Sequence, residues 1–485
     1  MYAKGYNKHA GEIDDYDEET FHQIGRKCEH FHDRADELLR QIGDQLEVRD
    51  RRYVKVLRKE CGFCVRGMEA EGFFFPPVEF MSGLQTFWPN FFKNPTNFKL
   101  DTNDDYNNVL AMLQKIPKQV DQVQILCEKA ISRKLTFHEA SMSRTKKQFE
   151  NLFTDFPEDS NFYIPFQNAS KDVQEKAKDT IQNEVFLAFR KLEKFVLNEY
   201  MMHTRKWPGL ASLQNGEKRY QRYLEYQTTI EGITPEEVHN IGLDEVKRLQ
   251  KLAVKIAEEE MGIANATFKK VATILKEDPK QEFFSEAEVL SYFIDINDRV
   301  KPKLKNVMDK ALLNEDTYNI IVKPVPPGGG GLAYYNGPTV DGRRKGTFYV
   351  NVNNLKNIKK FETYSLTLHE GNPGHHLQFA FIKYSPIPKF LKSNTFSWAN
   401  PGVPLRYTSH TEGWGLYAEY LGHEMGMYDD PEQAIGFYSW NLLRACRLVV
   451  DTGLHMFGWS RQRAIDYLAE NTAMSLSAIE GQIDR

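Results

Sequence analysis

The sequence has few cysteines and no long apolar run. Five cysteines in 485 residues are too few and too scattered for a fold built on disulfides, and their odd number leaves at least one free or bridged to another chain. They are Cys28, Cys61, Cys64, Cys127 and Cys446. The C-x-x-C spacing of Cys61 and Cys64 has no second pair and a helical setting, which favours neither zinc binding nor redox chemistry there. Because no eighteen consecutive residues are apolar, we expect no membrane-spanning segment.

The chain also lacks a strong excess of either charge. It has 63 Lys and Arg against 67 Asp and Glu, and its formal net charge is -4 at pH 7. Proteins that bind by neutralising phosphates carry a clear positive excess, so we expect no nucleic-acid partner and favour a small molecule or a peptide. Residues 1–19 are polar and lack the pattern of a signal peptide. Composition leaves the compartment and the oligomeric state open.

Most apolar residues recur at helical spacing. In residues 234–249, Thr234 is placed as an N-cap and Pro235 as the first helical residue. Segments 318–325 and 346–352 are rich in β-branched and aromatic residues and are predicted to be strands. Segment 72–92, dense in aromatics and interrupted by prolines, is predicted to be a buried irregular connection.

No repeat, low-complexity tract or linker divides the chain. We therefore predict one large, mainly α-helical domain over residues 1–485, with its catalytic portion at about 315–485. A small β-sheet is expected beside the helix that carries the histidine motif.

That motif is LTLHEGNPGHHLQ, residues 366–378. In the common zinc-peptidase motif H-E-x-x-H, histidines at i and i+4 bind one zinc ion from the same face of a helix, and the glutamate acts as general base. Here His375 and His376 follow His369 by six and seven residues. On an undisturbed helix neither reaches a metal shared with His369.

The residues between the histidines are helix breakers. Asn372 precedes a proline, Pro373 has no backbone N–H, and the flanking glycines tolerate bulges. Looping out two residues gives the place of the i+4 ligand to His375, and looping out three gives it to His376. We expect a break in the helix at this point.

A catalytic zinc site needs a third protein ligand. Residues 409–420 predict a helix with Glu412 and Glu419 on one face, and thermolysin-like zinc peptidases use such a downstream helical glutamate. We expect Glu412 to be the ligand, with Glu419 as the alternative. Six of the thirteen histidines fall between positions 369 and 455. Two of these, His410 and His423, are interpreted as structural or surface residues.

At these residues the sequence resembles a known family. Residues 369–378 (HEGNPGHHLQ) and 410–419 (HTEGWGLYAE) resemble the family catalogued as domain of unknown function 885. That family is regarded as zinc-peptidase-like, with a mainly helical fold similar to that of the angiotensin-converting-enzyme group. The resemblance extends to residues 235–242, 346–351 and 451–455.

The resemblance implies roles for particular residues. It assigns the zinc to His369, His375 and Glu412, with His376 as the alternative to His375, and it makes Glu370 the general base. His455 and Tyr407 are weaker candidates as donors to the oxyanion. Relatives usually continue beyond the equivalent of residues 479–485, so we expect this chain to be shorter than they are.

The leading hypothesis is a metallopeptidase that holds one Zn²⁺ and hydrolyses short peptides. Zinc follows from the ligand types, although two imidazoles and a carboxylate also accept other divalent ions. The strand at residues 347–352 is expected to pair with the substrate backbone. One alternative is a catalytically inactive binding or structural protein on the same scaffold. Another is a metal-dependent amidohydrolase, because attack of water on any amide carbonyl requires the same groups.

Overall fold

A computed structural model of the chain describes residues 10–69, 71–310, 313–325, 332–339, 342, 344–353, 355–392 and 408–484. It confirms the predicted mainly α-helical fold with a small β-sheet. The helices are α1 Glu18–Ile42, α2 Val48–Glu69, α3 Leu84–Lys93, α4 Asn103–Ser132, α5 Glu139–Met142, α6 Thr145–Glu150, α7 Lys171–Thr180, α8 Phe186–Asn198, α9 Gly216–Thr228, α10 Pro235–Glu259, α11 Phe268–Glu277, α12 Glu286–Leu304, α13 Glu315–Tyr318, α14 Lys360–Glu370, α15 His375–Tyr384, α16 Lys389–Lys392, α17 Thr408–Glu424, α18 Pro431–His455, α19 Arg461–Asn471 and α20 Leu476–Asp484. The strands are β1 Ile321–Pro324, β2 Ala333–Asn336 and β3 Thr347–Val350.

The predicted start of α10 is confirmed. The Glu237 N–H donates to the Thr234 hydroxyl at 3.2 Å, and the Thr234 N–H donates to the Glu237 carboxylate at 2.8 Å. These reciprocal bonds satisfy two N–H groups that a helix start otherwise leaves without partners.

The prediction of an irregular connection over residues 72–92 is wrong in its second half. Residues Leu84–Lys93 form α3 although Pro89 lies inside it. Trp88 and Phe92 of this helix are buried in the core, and the Trp88 indole N–H donates to the Gln119 side chain at 2.8 Å. Burial of these large rings offsets the hydrogen bond that the proline removes.

The two largest hydrophobic clusters lie in different parts of the chain. The first includes buried residues of α3, α4, α7 and α8, and the second joins α10, α11, α18 and α19. A disulfide between Cys28 and Cys64 ties α1 to α2, whereas Cys61 is a buried free thiol. The two cysteines of the C-x-x-C motif therefore differ, since Cys64 forms a disulfide and Cys61 does not.

The sheet has the order β1-β3-β2, with β1 parallel and β2 antiparallel to β3. Two of its strands, β1 and β3, lie within predicted segments, whereas the four residues of β2 were missed. The expected pairing of substrate with β3 is wrong, because β1 and β2 already occupy both of its edges. Strand β2 contacts α14, the helix of the histidine motif, so the sheet lies beside that helix as predicted.

Helix α14 packs against both α17 and α18. Its side chains therefore meet residues that are distant in sequence. Within the described ranges, no helix combines the length and the apolar character needed to cross a membrane.

Candidate metal centre

The helix of the histidine motif breaks where the sequence predicts. Helix α14 ends at Glu370, α15 begins at His375, and the peptide bond between Asn372 and Pro373 is cis. At Gly374 an added Cβ would lie 1.9 Å from the carbonyl oxygen of His369. Only glycine lets the chain fold back so closely on the end of α14.

This break brings together three side chains from separate elements. His369 Nε2 lies 3.2 Å from one carboxylate oxygen of Glu412, and His375 Nε2 lies 3.7 Å from the other. One ligand atom from each of the three residues lies within 4.8 Å of the other two. The histidines are buried, whereas the Glu412 side chain is 54% exposed. Two imidazole nitrogens and a carboxylate thus converge beside solvent.

The neighbouring histidine points elsewhere. His376 Nδ1 lies 3.0 Å from the Tyr335 hydroxyl, and the two rings meet edge to face. The structure therefore brings His375, and not His376, to His369 and Glu412.

Glu419, the alternative third ligand, lies on the opposite side of the His369 ring from Glu412. Its carboxylate is 2.6 Å from His369 Nδ1 and is fully buried. This contact places a proton on Nδ1 and makes Nε2 the nitrogen that would give its lone pair to a metal. A carboxylate in this position orients a metal-binding histidine without being a ligand itself.

His375 has a comparable partner on its own helix. Its Nδ1 lies 3.3 Å from the Gln378 side-chain oxygen, and the Gln378 amide donates to the backbone carbonyl of His410 at 3.3 Å. The indole N–H of Trp414 donates to the Pro373 carbonyl at 2.9 Å. These contacts fix α15 and the loop before it against the first turns of α17.

Glu370 is buried next to the three converging side chains. The backbone N–H of Tyr335, on β2, donates to its carboxylate. Burial raises the pKa of Glu370 to about 7, although the neighbouring His369 opposes the shift. A carboxylate with a pKa near neutrality is suited to general-base catalysis.

The charges of the three converging residues are coupled. Burial disfavours the protonated form of His369, but hydrogen bonds with Glu412 and Glu419 outweigh it and raise its pKa to about 9. Partial burial raises the pKa of Glu412, but the hydrogen bond with His369 and the charge of His375 outweigh it and lower the value to about 2. The Glu412 carboxylate thus faces a positive charge, which a bound divalent cation would supply in place of the proton.

Of the two predicted oxyanion donors, the structure describes only His455. Tyr407 lies outside the described residues. His455 lies eleven residues beyond Arg444 on α18, roughly 16 Å along the helix. Its Nδ1 accepts the Leu210 N–H at 3.2 Å, and its ring stacks on Tyr220 with 5.4 Å between centroids. The structure does not bring it to the cluster.

Sequence reasoning missed three residues at this site, Gln378, Arg444 and Tyr335. Gln378 follows His375 by three residues, so helical spacing is a usable signal for that contact. Arg444 contacts both Glu419 and His369 from α18, and nothing in the local sequence indicates it.

Close packing of α17 on His369 leads to a first prediction. An added Cβ at Gly415 would lie 2.5 Å from Cε1 of the His369 ring. We expect Gly415→Ala to displace the imidazole and to weaken zinc binding by about 10-fold or more. Losses of this size are usual when the orientation of a metal ligand is disturbed. Competition with a chromophoric chelator measures the affinity.

The matched control is Gly413→Ala on the same helix, where an added Cβ meets no atom within 4 Å. Both substitutions improve helix propensity equally. Equal zinc affinity in the two variants would show that the Gly415 contact does not hold the ring.

The fold and the site together define a mainly α-helical protein whose His-His-Glu cluster has donor atoms suited to a divalent metal. The chain belongs to the family described as bacterial protein of unknown function (DUF885), whose model matches residues 2–485. No curated protein matches the chain.

Several solved structures are similar to the chain, and two of them are described as putative lipoproteins. The one described as the putative lipoprotein from Colwellia psychrerythraea has a TM-score of 0.75 and 26% sequence identity, and the match covers 84% of this chain and 70% of that one. The one described as a putative lipoprotein of unknown function from Shewanella oneidensis has a TM-score of 0.68 and 13% identity, covering 100% and 85%. At this lower identity the likeness shows the fold alone.

Proposed function

We propose that the protein is a zinc-dependent metallopeptidase that hydrolyses short peptides. The observation that supports this most is the convergence of His369, His375 and Glu412, with Glu370 adjoining His369 in sequence. Two imidazoles and a carboxylate match a catalytic zinc site, which keeps a fourth position open. Each imidazole already has an Nδ1 partner, as metal-binding histidines require.

The chain's own residues have distinct tasks in this proposal. His369, His375 and Glu412 hold the metal ion. A bound Zn²⁺ supplies Lewis acidity, which polarises a carbonyl and makes water more acidic. Glu370 takes a proton from the attacking water and returns it to the leaving amine, a transfer that its pKa of about 7 allows in both directions.

Strand β2 is the element best placed to bind a peptide backbone. It lies at an edge of the described sheet, and its Tyr335 N–H donates to the Glu370 carboxylate. Extended peptides commonly add to such an edge. We therefore place the substrate beside β2 rather than β3.

Metal removal tests the proposal directly. We expect the purified protein to contain one equivalent of zinc and to cleave members of a peptide library. Chelation should abolish cleavage, and added zinc should restore it. Zinc at 1,000 times its Kd should also stabilise the fold by about 4 kcal/mol, so chelation lowers the melting temperature.

Other results would identify the two alternatives. One equivalent of zinc without cleavage of any peptide would favour a binding protein on the same scaffold. Turnover of small non-peptide amides alone would identify an amidohydrolase, and mass spectrometry of the products distinguishes these outcomes.

A further inference from the structure

Arg444 reaches the candidate metal centre from α18. Its Nη2 lies 2.8 Å from a carboxylate oxygen of Glu419 and 3.1 Å from His369 Nδ1. The same Glu419 oxygen is 2.6 Å from His369 Nδ1. Three polar groups from α14, α17 and α18 thus meet on the side of the imidazole opposite Glu412.

A proton on His369 Nδ1 satisfies all three groups. The guanidinium of Arg444 donates and never accepts, whereas the carboxylate of Glu419 accepts. If His369 Nδ1 lacked its proton, its lone pair would face a carboxylate oxygen at 2.6 Å. With the proton on Nδ1, both His369 and Arg444 donate to Glu419, and Nε2 is the nitrogen that would give its lone pair to a metal.

The position of Glu419 depends on its partners because it is fully buried. The hydroxyl of Ser365 donates to its second oxygen, and the hydroxyl of Tyr428 donates to its backbone carbonyl at 2.9 Å. The Arg444 guanidinium lies 2.8 Å from Glu419 and opposes its charge. Removing one partner of a buried ion pair leaves the charge of the other uncompensated, and the remaining side chain tends to move or to contact a new partner.

We propose that Arg444 is a positioning residue of the metal centre. By fixing Glu419, it holds His369 in the ring orientation and tautomer that present Nε2 to the metal, and so it sets the metal affinity. This inference rests on the proposed metal centre but not on peptide hydrolysis.

A purely structural role for Arg444 makes a different prediction. If the guanidinium only neutralises a buried carboxylate, its loss lowers the melting temperature and leaves the metal affinity of the folded protein unchanged. A positioning role requires that the affinity and the coordination geometry change as well.

The experiment compares Arg444→Met and Arg444→Lys with the wild type. Zinc affinity is measured by chelator competition, and the geometry is read from the visible spectrum of the cobalt-substituted protein. We expect Arg444→Met to weaken zinc binding by about 10- to 100-fold and to alter the cobalt spectrum. Arg444→Lys should recover part of the affinity, because it keeps the charge but loses the rigid fork.

The matched control is Arg447→Met, on the same helix. Arg447 donates from its Nε to the side chain of Gln482, on α20, at 3.1 Å. We expect this variant to bind zinc like the wild type, with an unchanged cobalt spectrum.

Wild-type affinity and spectrum in Arg444→Met would overturn the proposal. If that variant does not fold, Arg444→Lys decides: reduced affinity supports a positioning role, and unchanged affinity refutes it. A wild type that binds zinc but cleaves no peptide would end the proposed function and leave this inference intact. A wild type that binds no zinc would end both.

Discussion

Glu370→Gln is expected to slow peptide hydrolysis by roughly 10²- to 10⁴-fold, the usual contribution of a general base. Glutamine has nearly the same shape and can still accept the Tyr335 N–H, but it cannot take a proton from water. Glu370 is not among the three converging residues, so the variant should retain its zinc. Measurements of kcat/KM and of zinc content separate these two effects.

Glu362→Gln is a matched control for this experiment. Glu362 lies on the same helix, where its carboxylate accepts the Ser439 hydroxyl at 3.1 Å and lies 3.6 Å from Lys276 Nζ. We expect this variant to keep its activity. Wild-type kcat/KM in Glu370→Gln, with zinc bound, would show that another group serves as the base.

Local backbone chemistry explains why the helix break was predictable. Proline removes a donor and restricts the residue before it, and these effects depend on neighbours in the sequence alone. The choice between His375 and His376 was not predictable in this way. It depends on how many residues belong to the loop, and the close approach of Gly374 to His369 sets that number through three-dimensional packing.

For the two glutamates of α17 as well, one feature was predictable from the sequence and another depends on three-dimensional packing. Helical spacing places Glu412 and Glu419 on one face, as predicted. Which of them meets His369 Nε2 depends on how far α17 is displaced along α14. In the structure Glu412 meets Nε2 and Glu419 meets Nδ1, so both contact the same ring from opposite sides.

Two of the residues that sequence reasoning missed share one property. Arg444 joins the site across 75 positions from His369, and Tyr335 belongs to a four-residue strand with little sequence signal of its own. Their roles follow from the packing of α14 against α18 and β2, which no local pattern encodes. The predicted donor His455 contacts Leu210 and Tyr220 instead for the same reason.

The adjacent histidines of the motif give the sharpest test of the metal centre. His375→Ala removes a donor atom, and we expect zinc affinity to fall by more than about 100-fold, beyond the loss typical of orienting residues. Hydrolysis should be lost with the metal. His376→Ala removes a contact with the Tyr335 hydroxyl and should cost about 1–3 kcal/mol of stability while zinc binding remains.

The two variants differ by one position in sequence and make the same chemical change in buried residues. In the absence of zinc, melting temperature therefore cannot separate them, whereas zinc affinity should. If His376→Ala lost zinc and His375→Ala retained it, the second histidine ligand would be His376 and not His375. This result would mean that the chain loops out three residues rather than two, and that the observed turn of His376 towards Tyr335 is not the arrangement of the metal-bound protein.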